Sequence, residues 1–132
     1  MKVLLADDSE LILETLQEML SAFKQVNIVA SCKNGIETLE SLRTLNPDLA
    51  IIDIKMPGLN GLEVISEIRK ENKAVKLMVL TFHSSDYNRQ MSIEAGADYF
   101  FSKADDFEKI AGIVEQMVRE ENRENEFITT AK

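Results

Sequence analysis

KVLLADDSE (residues 2–10) runs as an apolar strand through Ala6 and then breaks off at two adjacent acids, Asp7 and Asp8. The pattern recurs along the chain: LAII at 49–52 is followed by Asp53, and YFFS at 99–102 by Lys103. Carboxylates gathered at neighbouring strand ends repel one another by roughly 4 kcal/mol at ~4 Å and an effective dielectric of about 20, so a fold that keeps them together needs a compensating cation. A divalent metal and an anionic ligand are the simplest candidates.

Along the rest of the chain, short apolar runs alternate with segments of helical period, the sign of a parallel sheet with helical crossovers. Strands are predicted at Lys2 to Ala6, Asn27 to Ser31, Leu49 to Asp53, Lys76 to Thr81 and Asp98 to Phe101. They alternate little between apolar and polar residues, as strands covered on both faces do. Between them, Ile12, Leu16, Met19, Leu20 and Phe23 form one helical stripe, and Phe107, Ile110, Ala111, Val114, Met117 and Val118 another. Ile36, Leu39 and Leu42 mark a second helix, and Leu62, Ile65 and Ile68 a third. Asn34 with Glu37, Asn60 with Glu63 and Asp105 with Glu108 have capping-box spacing. The fourth helix, Ser85 to Ala95 with Gly96 as its stop, has the weakest stripe. Asn46-Pro47, Pro57-Gly58 and Asn60-Gly61 supply the turns. The pattern is (βα)5, an α/β doubly wound parallel sheet. Beyond Glu121 the segment ENRENEFITTAK is polar and aperiodic, and it reads as a fraying tail or linker stub over 122–132.

At 132 residues the chain suits one domain with one sizeable core. A formal net charge of −8 and the lack of a basic stripe argue against direct nucleic-acid binding, which needs Lys and Arg to neutralise phosphates. Cys32 is the single cysteine, so no internal disulfide can form and a reducing compartment is expected. No stretch approaches the roughly 18 apolar residues of a membrane span, and the first residues do not read as a signal peptide. The protein is therefore expected to be cytoplasmic and without a membrane partner.

In open α/β sheets ligands bind beyond the carboxyl ends of the strands, where strand order reverses. With order 2-1-3-4-5, the ends of the first and third strands are neighbours, and Asp7, Asp8 and Asp53 converge with Thr81 and Lys103 beside them. The group offers oxygen ligands only, which suits Mg²⁺ (or Mn²⁺), and no His/Cys cluster suggests zinc. A carboxylate beside such a metal can act as a nucleophile toward phosphorus, with lysine, metal and a hydroxyl stabilising the transferring phosphoryl oxygens. Taken singly, each residue has a plainer reading: Asp7 or Asp8 as a helix cap, Asp53 as a turn acid, Thr81 as a strand residue and Lys103 as a solvated charge.

The motifs ADDS (6–9), DIKMPGLNGLEV (53–64), LTFHS (80–84) and GADYFFSK (96–103) resemble the receiver domain of two-component response regulators over about residues 1 to 121. The segment GADYFFSKADDFEKI is most similar to stand-alone members. The resemblance implies a flavodoxin-like fold that accepts a phosphoryl group on Asp53 from a sensor histidine kinase, a phosphotransfer protein or a small phosphodonor. It implies that Asp8, Asp53 and the backbone carbonyl of Lys55 hold Mg²⁺, that Asp7 helps through water, and that Lys103 contacts the phosphoryl group. Thr81 matches the switch hydroxyl and Phe100 the switch aromatic, which would turn inward and remodel the face of the fourth helix, fifth strand and fifth helix for a downstream protein target. Phosphorylation-dependent dimerisation belongs to the same expectation. Such a domain is a phosphoacceptor with only self-phosphotransfer and slow self-dephosphorylation.

Three departures bear on rate. Ala104 follows Lys103 where the family usually has proline, which puts the Lys103–Ala104 peptide geometry in question. Phe82 follows the switch threonine where a small residue is typical, and its bulk would restrict access. Lys55 and His83, two residues beyond Asp53 and Thr81, resemble the positions that tune dephosphorylation in this family. Phe82 and Ala104 motivate an alternative, a degenerate receiver acting as a constitutive protein-interaction scaffold, against which Asp8, Asp53, Thr81 and Lys103 count. A metal-dependent phosphohydrolase is less suited, because Lys55 stands where haloacid dehalogenase-like enzymes carry their second acid. DDSE after the first strand lacks the glycines of a dinucleotide site.

Overall fold

The computed structural model describes residues 1–130, with side chains described through residue 124. Its elements run β1 (Lys2–Ala6), α1 (Glu10–Leu20), β2 (Asn27–Cys32), α2 (Gly35–Leu45), β3 (Leu49–Ile52), α3 (Gly61–Arg69), β4 (Lys76–Thr81), α4 (Asp86–Ala95), β5 (Tyr99–Ser102) and α5 (Phe107–Thr130). All strand pairs are parallel and the sheet order is β2-β1-β3-β4-β5. This is the doubly wound, flavodoxin-like (βα)5 fold expected from the alternation.

Successive strand residues point to opposite faces, and each face is apolar. Leu4, Ala6, Ala50, Ile52, Leu77 and Val79 meet Leu39 and Leu42 of α2 and Val64, Ile65 and Ile68 of α3. Val3, Leu5, Leu49, Ile51, Met78 and Leu80 meet Leu13, Leu16 and Leu20 of α1 and Ile110, Val114 and Val118 of α5. Two buried faces explain why the strands read as unbroken apolar runs.

Local chemistry sets the helix starts. Asn34 accepts from the Glu37 N–H, Asn60 forms a full capping box with Glu63, and Ser85 accepts from the Asn88 N–H. Ser9 caps α1 by accepting from the Ile12 N–H, with no glutamate three residues on to flag it in the sequence. Gly96 ends α4 with φ of 117°, in the left-handed region that favours glycine. α4 buries only Ser92, in line with its weak stripe.

Six expectations are corrected. β5 occupies Tyr99–Ser102 because Asp98 is held outside the strand, its carboxylate accepting from the Leu77 N–H and from Arg69. β2 reaches Cys32 and β3 stops at Ile52, one residue from the predicted ends. α5 starts at Phe107, so Asp105 and Glu108 do not form its cap; Asp106 instead turns back to accept from the Ser102 N–H. Ile36 is 61% exposed, because its side chain lies over Gly58 rather than in the core. α5 also runs on to Thr130, since adding residues to a helix already nucleated costs far less than starting one. The expected tail thus falls partly within α5, and residues 131–132 lie outside the described residues. Among the described residues no helix is long and apolar enough to cross a membrane.

Candidate functional site

Strand register builds the site. Ala6 pairs with Ile52, and the ladder continues one step past both strands, where the Asp53 N–H donates to the Ala6 carbonyl at 2.9 Å and the Asp7 N–H to the Cys32 carbonyl at 2.9 Å. At the other edge Thr81 pairs with Ser102, and the Lys103 N–H donates to the Thr81 carbonyl at 3.0 Å. Asp7, Asp53 and Lys103 are therefore each the first residue beyond a strand, and Thr81 the last within one, held by main-chain bonds on the sheet.

These bonds bring Asp7, Asp53 and Lys103 together. Lys103 Nζ lies 2.6 Å from Asp7 Oδ2 and 2.9 Å from Asp53 Oδ2, and all three side chains are less than a tenth exposed. Asp7 Oδ1 accepts from the Ser9 N–H at 2.9 Å, so Asp7 is satisfied at both oxygens. Asp53 Oδ1, in contrast, is buried with no hydrogen-bond partner among the described residues. Burial pushes the Asp7 carboxyl above its ordinary range, more than the bonds from Lys103 and Ser9 pull it down. Burial opposes the Lys103 charge, but its hydrogen bonds to Asp7 and Asp53 and their negative charge prevail, so the ammonium titrates above its ordinary range.

Asp8 is exposed beside the buried pair, and one carboxylate oxygen from each of Asp7, Asp8 and Asp53 lies within 4.8 Å of the others. Oxygen donors alone, an unpartnered buried oxygen and a cluster of that size fit a hard divalent cation such as Mg²⁺. Lys55 is exposed on the loop after β3. Gly61 packs where a Cβ would overlap the Asp53 carbonyl oxygen, and its N–H donates to the Ile54 carbonyl at 2.7 Å, which folds the β3–α3 loop against the site.

Thr81 is fully buried, and its Oγ1 accepts from the His83 N–H at 3.0 Å. His83 is exposed, its carbonyl accepting from Asn88. Phe82 is 64% exposed, with its ring centroid 5.2 Å from Lys103 Nζ. Phe100 is already in the core at 5% exposure, beneath the Arg89 guanidinium at 4.9 Å. Phe100 thus occupies the inward position in this conformation, with the Arg89 guanidinium of α4 over its ring. Every peptide bond among the described residues is trans, Lys103–Ala104 included.

The contacts of Arg89, Ser9 and Asp106 escaped the sequence reading. Only Ser9 had a visible signal, a serine directly before a helical stripe.

A parallel sheet of this order, with an acidic pocket and a buried lysine at its carboxyl edge, defines a flavodoxin-like α/β domain with an oxygen-donor site at its switch point. Residues 3–115 match the family described as "Response regulator receiver domain", and the chain belongs to that family. It is 27% identical over 101 residues to the nitrate/nitrite response regulator protein NarL of Escherichia coli (strain K12), covering 76% of this chain and 47% of that one. It is 30% identical over 102 residues to the response regulator GacA of Pseudomonas syringae pv. syringae (strain B728a), covering 77% and 48%. The chain thus spans about half the length of these curated relatives. The crystal structure of the response regulator domain of Thermotoga maritima CheB shares the fold, with a TM-score of 0.79 at 24% identity over 91% of this chain and 94% of that one. Receiver domains are signalling domains of two-component systems, and the family binds Mg²⁺ in its acidic pocket.

Proposed function

We propose that this domain is a Mg²⁺-dependent phosphoacceptor in which Asp53 takes a phosphoryl group from a sensor histidine kinase, a phosphotransfer protein or a small phosphodonor. The observation that carries the reading is the asymmetry of the Asp53 carboxylate. Lys103 holds Oδ2 and fixes the plane of the group, leaving Oδ1 buried with its lone pairs uncommitted. An oxygen of that kind costs stability unless it has a use.

In the step proposed, Asp53 Oδ1 attacks phosphorus, an O–P bond forms, and the N–P bond of the donor phosphohistidine breaks with its electron pair remaining on the imidazole. Lys103, next to Asp53, faces the negative charge of the transferring oxygens. Held by Asp8, Asp53, the Lys55 carbonyl and, through water, Asp7, Mg²⁺ or Mn²⁺ would neutralise further charge there. The Thr81 hydroxyl accepts from His83 but keeps its own proton to donate to a phosphoryl oxygen. That bond would bias the β4–α4 loop and with it α4, the most weakly packed helix, so the α4–β5–α5 face is the proposed docking surface for a downstream protein or a second copy of the chain. Moving such a switch from mostly off to mostly on takes roughly 5.5 kcal/mol of differential stabilisation, which charge-assisted bonds and partner binding together can supply. Lys55 and His83, exposed near the site, are the positions proposed to tune hydrolysis. A cytoplasmic setting and the absence of direct nucleic-acid contact complete the proposal.

Acetyl phosphate with Mg²⁺ is expected to add the mass of one phosphoryl group to the intact protein, and Asp53→Asn or EDTA to abolish the gain. Failure of folded wild-type protein to gain this mass from any small phosphodonor would overturn the reading.

A further inference from the structure

The proposed phosphotransfer leaves one exposed side chain at the mouth of the pocket unexplained. Phe82 directly follows the last strand residue of β4, and its ring is 64% exposed although apolar. One face of that ring is turned to Lys103 Nζ at 5.2 Å, and the same Nζ is bonded to Asp53 Oδ2 at 2.9 Å. The ring is therefore linked to the phosphoacceptor through a shared cation, with most of its surface open to solvent. A ring held only as a cover would gain nothing from leaving a face wet, and an isolated exposed Phe ordinarily has no fixed neighbour.

We infer that the outer face of Phe82 is a stacking platform for the imidazole ring of a phosphohistidine donor, and that it makes this domain prefer an imidazole-borne phosphoryl group over non-aromatic phosphodonors. The inference rests on the proposed phosphorylation of Asp53. Position favours it: with phosphorus against Asp53 Oδ1, the donor's ring leaves on the side away from that carboxylate, and Phe82 is an exposed aromatic ring set over the lysine that holds it. Electronics favour it too. Lys103 on the inner face draws electron density from the Phe82 ring, which makes the outer face more attractive to an electron-rich partner. The donor imidazole becomes more electron-rich as the N–P pair collapses onto its nitrogen, so stacking strengthens during the reaction and accelerates it rather than only improving binding. The leaving nitrogen then takes a proton from solvent, and phosphorus ends on Asp53.

Three small donors separate ring recognition from bond type: phosphoimidazole, phosphoramidate, which has the N–P bond but no ring, and acetyl phosphate. Initial rates of Asp53 phosphorylation are read by intact mass for wild type, Phe82→Ala, Phe82→Leu and Phe82→Tyr, with circular dichroism to verify folding. The ratio of the phosphoimidazole rate to the phosphoramidate rate is expected to fall roughly three- to tenfold in Phe82→Ala and Phe82→Leu, the span one aromatic pair supplies, and to be kept in Phe82→Tyr. A ratio unchanged in Phe82→Ala and Phe82→Leu, with all three donors reacting faster, would show a steric cover and overturn the inference. A folded wild-type protein that accepts from none of the three donors would instead remove the phosphoacceptor reading itself.

Discussion

Lys103 Nζ donates to Asp53 Oδ2 at 2.9 Å across fifty residues of chain, and this one bond makes the two oxygens of a single carboxylate inequivalent. Oδ2 is neutralised and positioned, while Oδ1 is buried and unpartnered. Removing the lysine would leave Asp7 and Asp53 facing each other without their shared cation. Breaking a buried ion pair from one side typically costs about 3–5 kcal/mol. Lys103→Met is therefore expected to lose stability of that order in denaturant unfolding without divalent metal, and to recover part of it in millimolar Mg²⁺. Equal stability with and without Mg²⁺ in this variant would argue against a cation among the three acids.

Gly61 shapes the site through its backbone. A Cβ there would overlap the Asp53 carbonyl oxygen, and no flexible side chain stands between them to give way. Gly61→Ala is expected to cost about 1–3 kcal/mol, the range of local overpacking, and to slow phosphorylation because the displaced atoms are those of Asp53. Thermal melts and acetyl phosphate kinetics would test the two effects. A variant as stable and as reactive as wild type would show that the loop relaxes freely.

Arg89 caps the buried Phe100 ring at 4.9 Å. A cation–π contact of this type contributes about 0.5–1 kcal/mol at partly exposed sites. Arg89→Ala should cost about that much and let the ring sample exposed rotamers. Fluorine NMR of fluorophenylalanine-labelled protein, with the Phe100 signal assigned by Phe100→Leu, is expected to show broadening or a second resonance in the variant. A single sharp signal in both proteins would mean that the core alone holds the ring.

Asp106 ties the start of α5 to the end of β5. Its carboxyl is held below the ordinary carboxylate range by the hydrogen bond from Lys109 and by the Ser102 N–H. A carboxyl pKa lowered on folding contributes stability above its unfolded value, near 3.8, and that contribution is lost as pH falls through the folded value. Asp106→Ala should melt at a lower temperature than wild type at pH 7, and the gap should close as pH falls below about 4. A gap constant with pH would assign the loss to packing.

Much of the fold was legible because its signals are local. The strands and the α1 and α5 stripes follow from side chains two, three or four residues apart, and the caps at Asn34 and Asn60 from residues three apart. Errors arose where a contact reached further. Asp98 is drawn out of β5 by Arg69 and by the Leu77 N–H, and Ile36 leaves the core for Gly58. The α5 extension was missed for another reason: a polar stretch carries no stripe, yet costs little to add to a helix already begun.

Which residues stand at strand ends follows from amino-acid order: Asp7, Asp8, Asp53, Thr81 and Lys103 each follow or close an apolar run, and that depends on neighbours in the chain. What those residues do to one another follows from folding. The parallel register that sets Ala6 beside Ile52 and Thr81 beside Ser102 joins segments tens of residues apart, and register alone brings Lys103 onto two carboxylates. It also decided that Phe82 stands in solvent over that lysine while Phe100 lies buried under Arg89. Two phenylalanines of identical local chemistry diverge because burial is a property of the packed sheet, not of the residue.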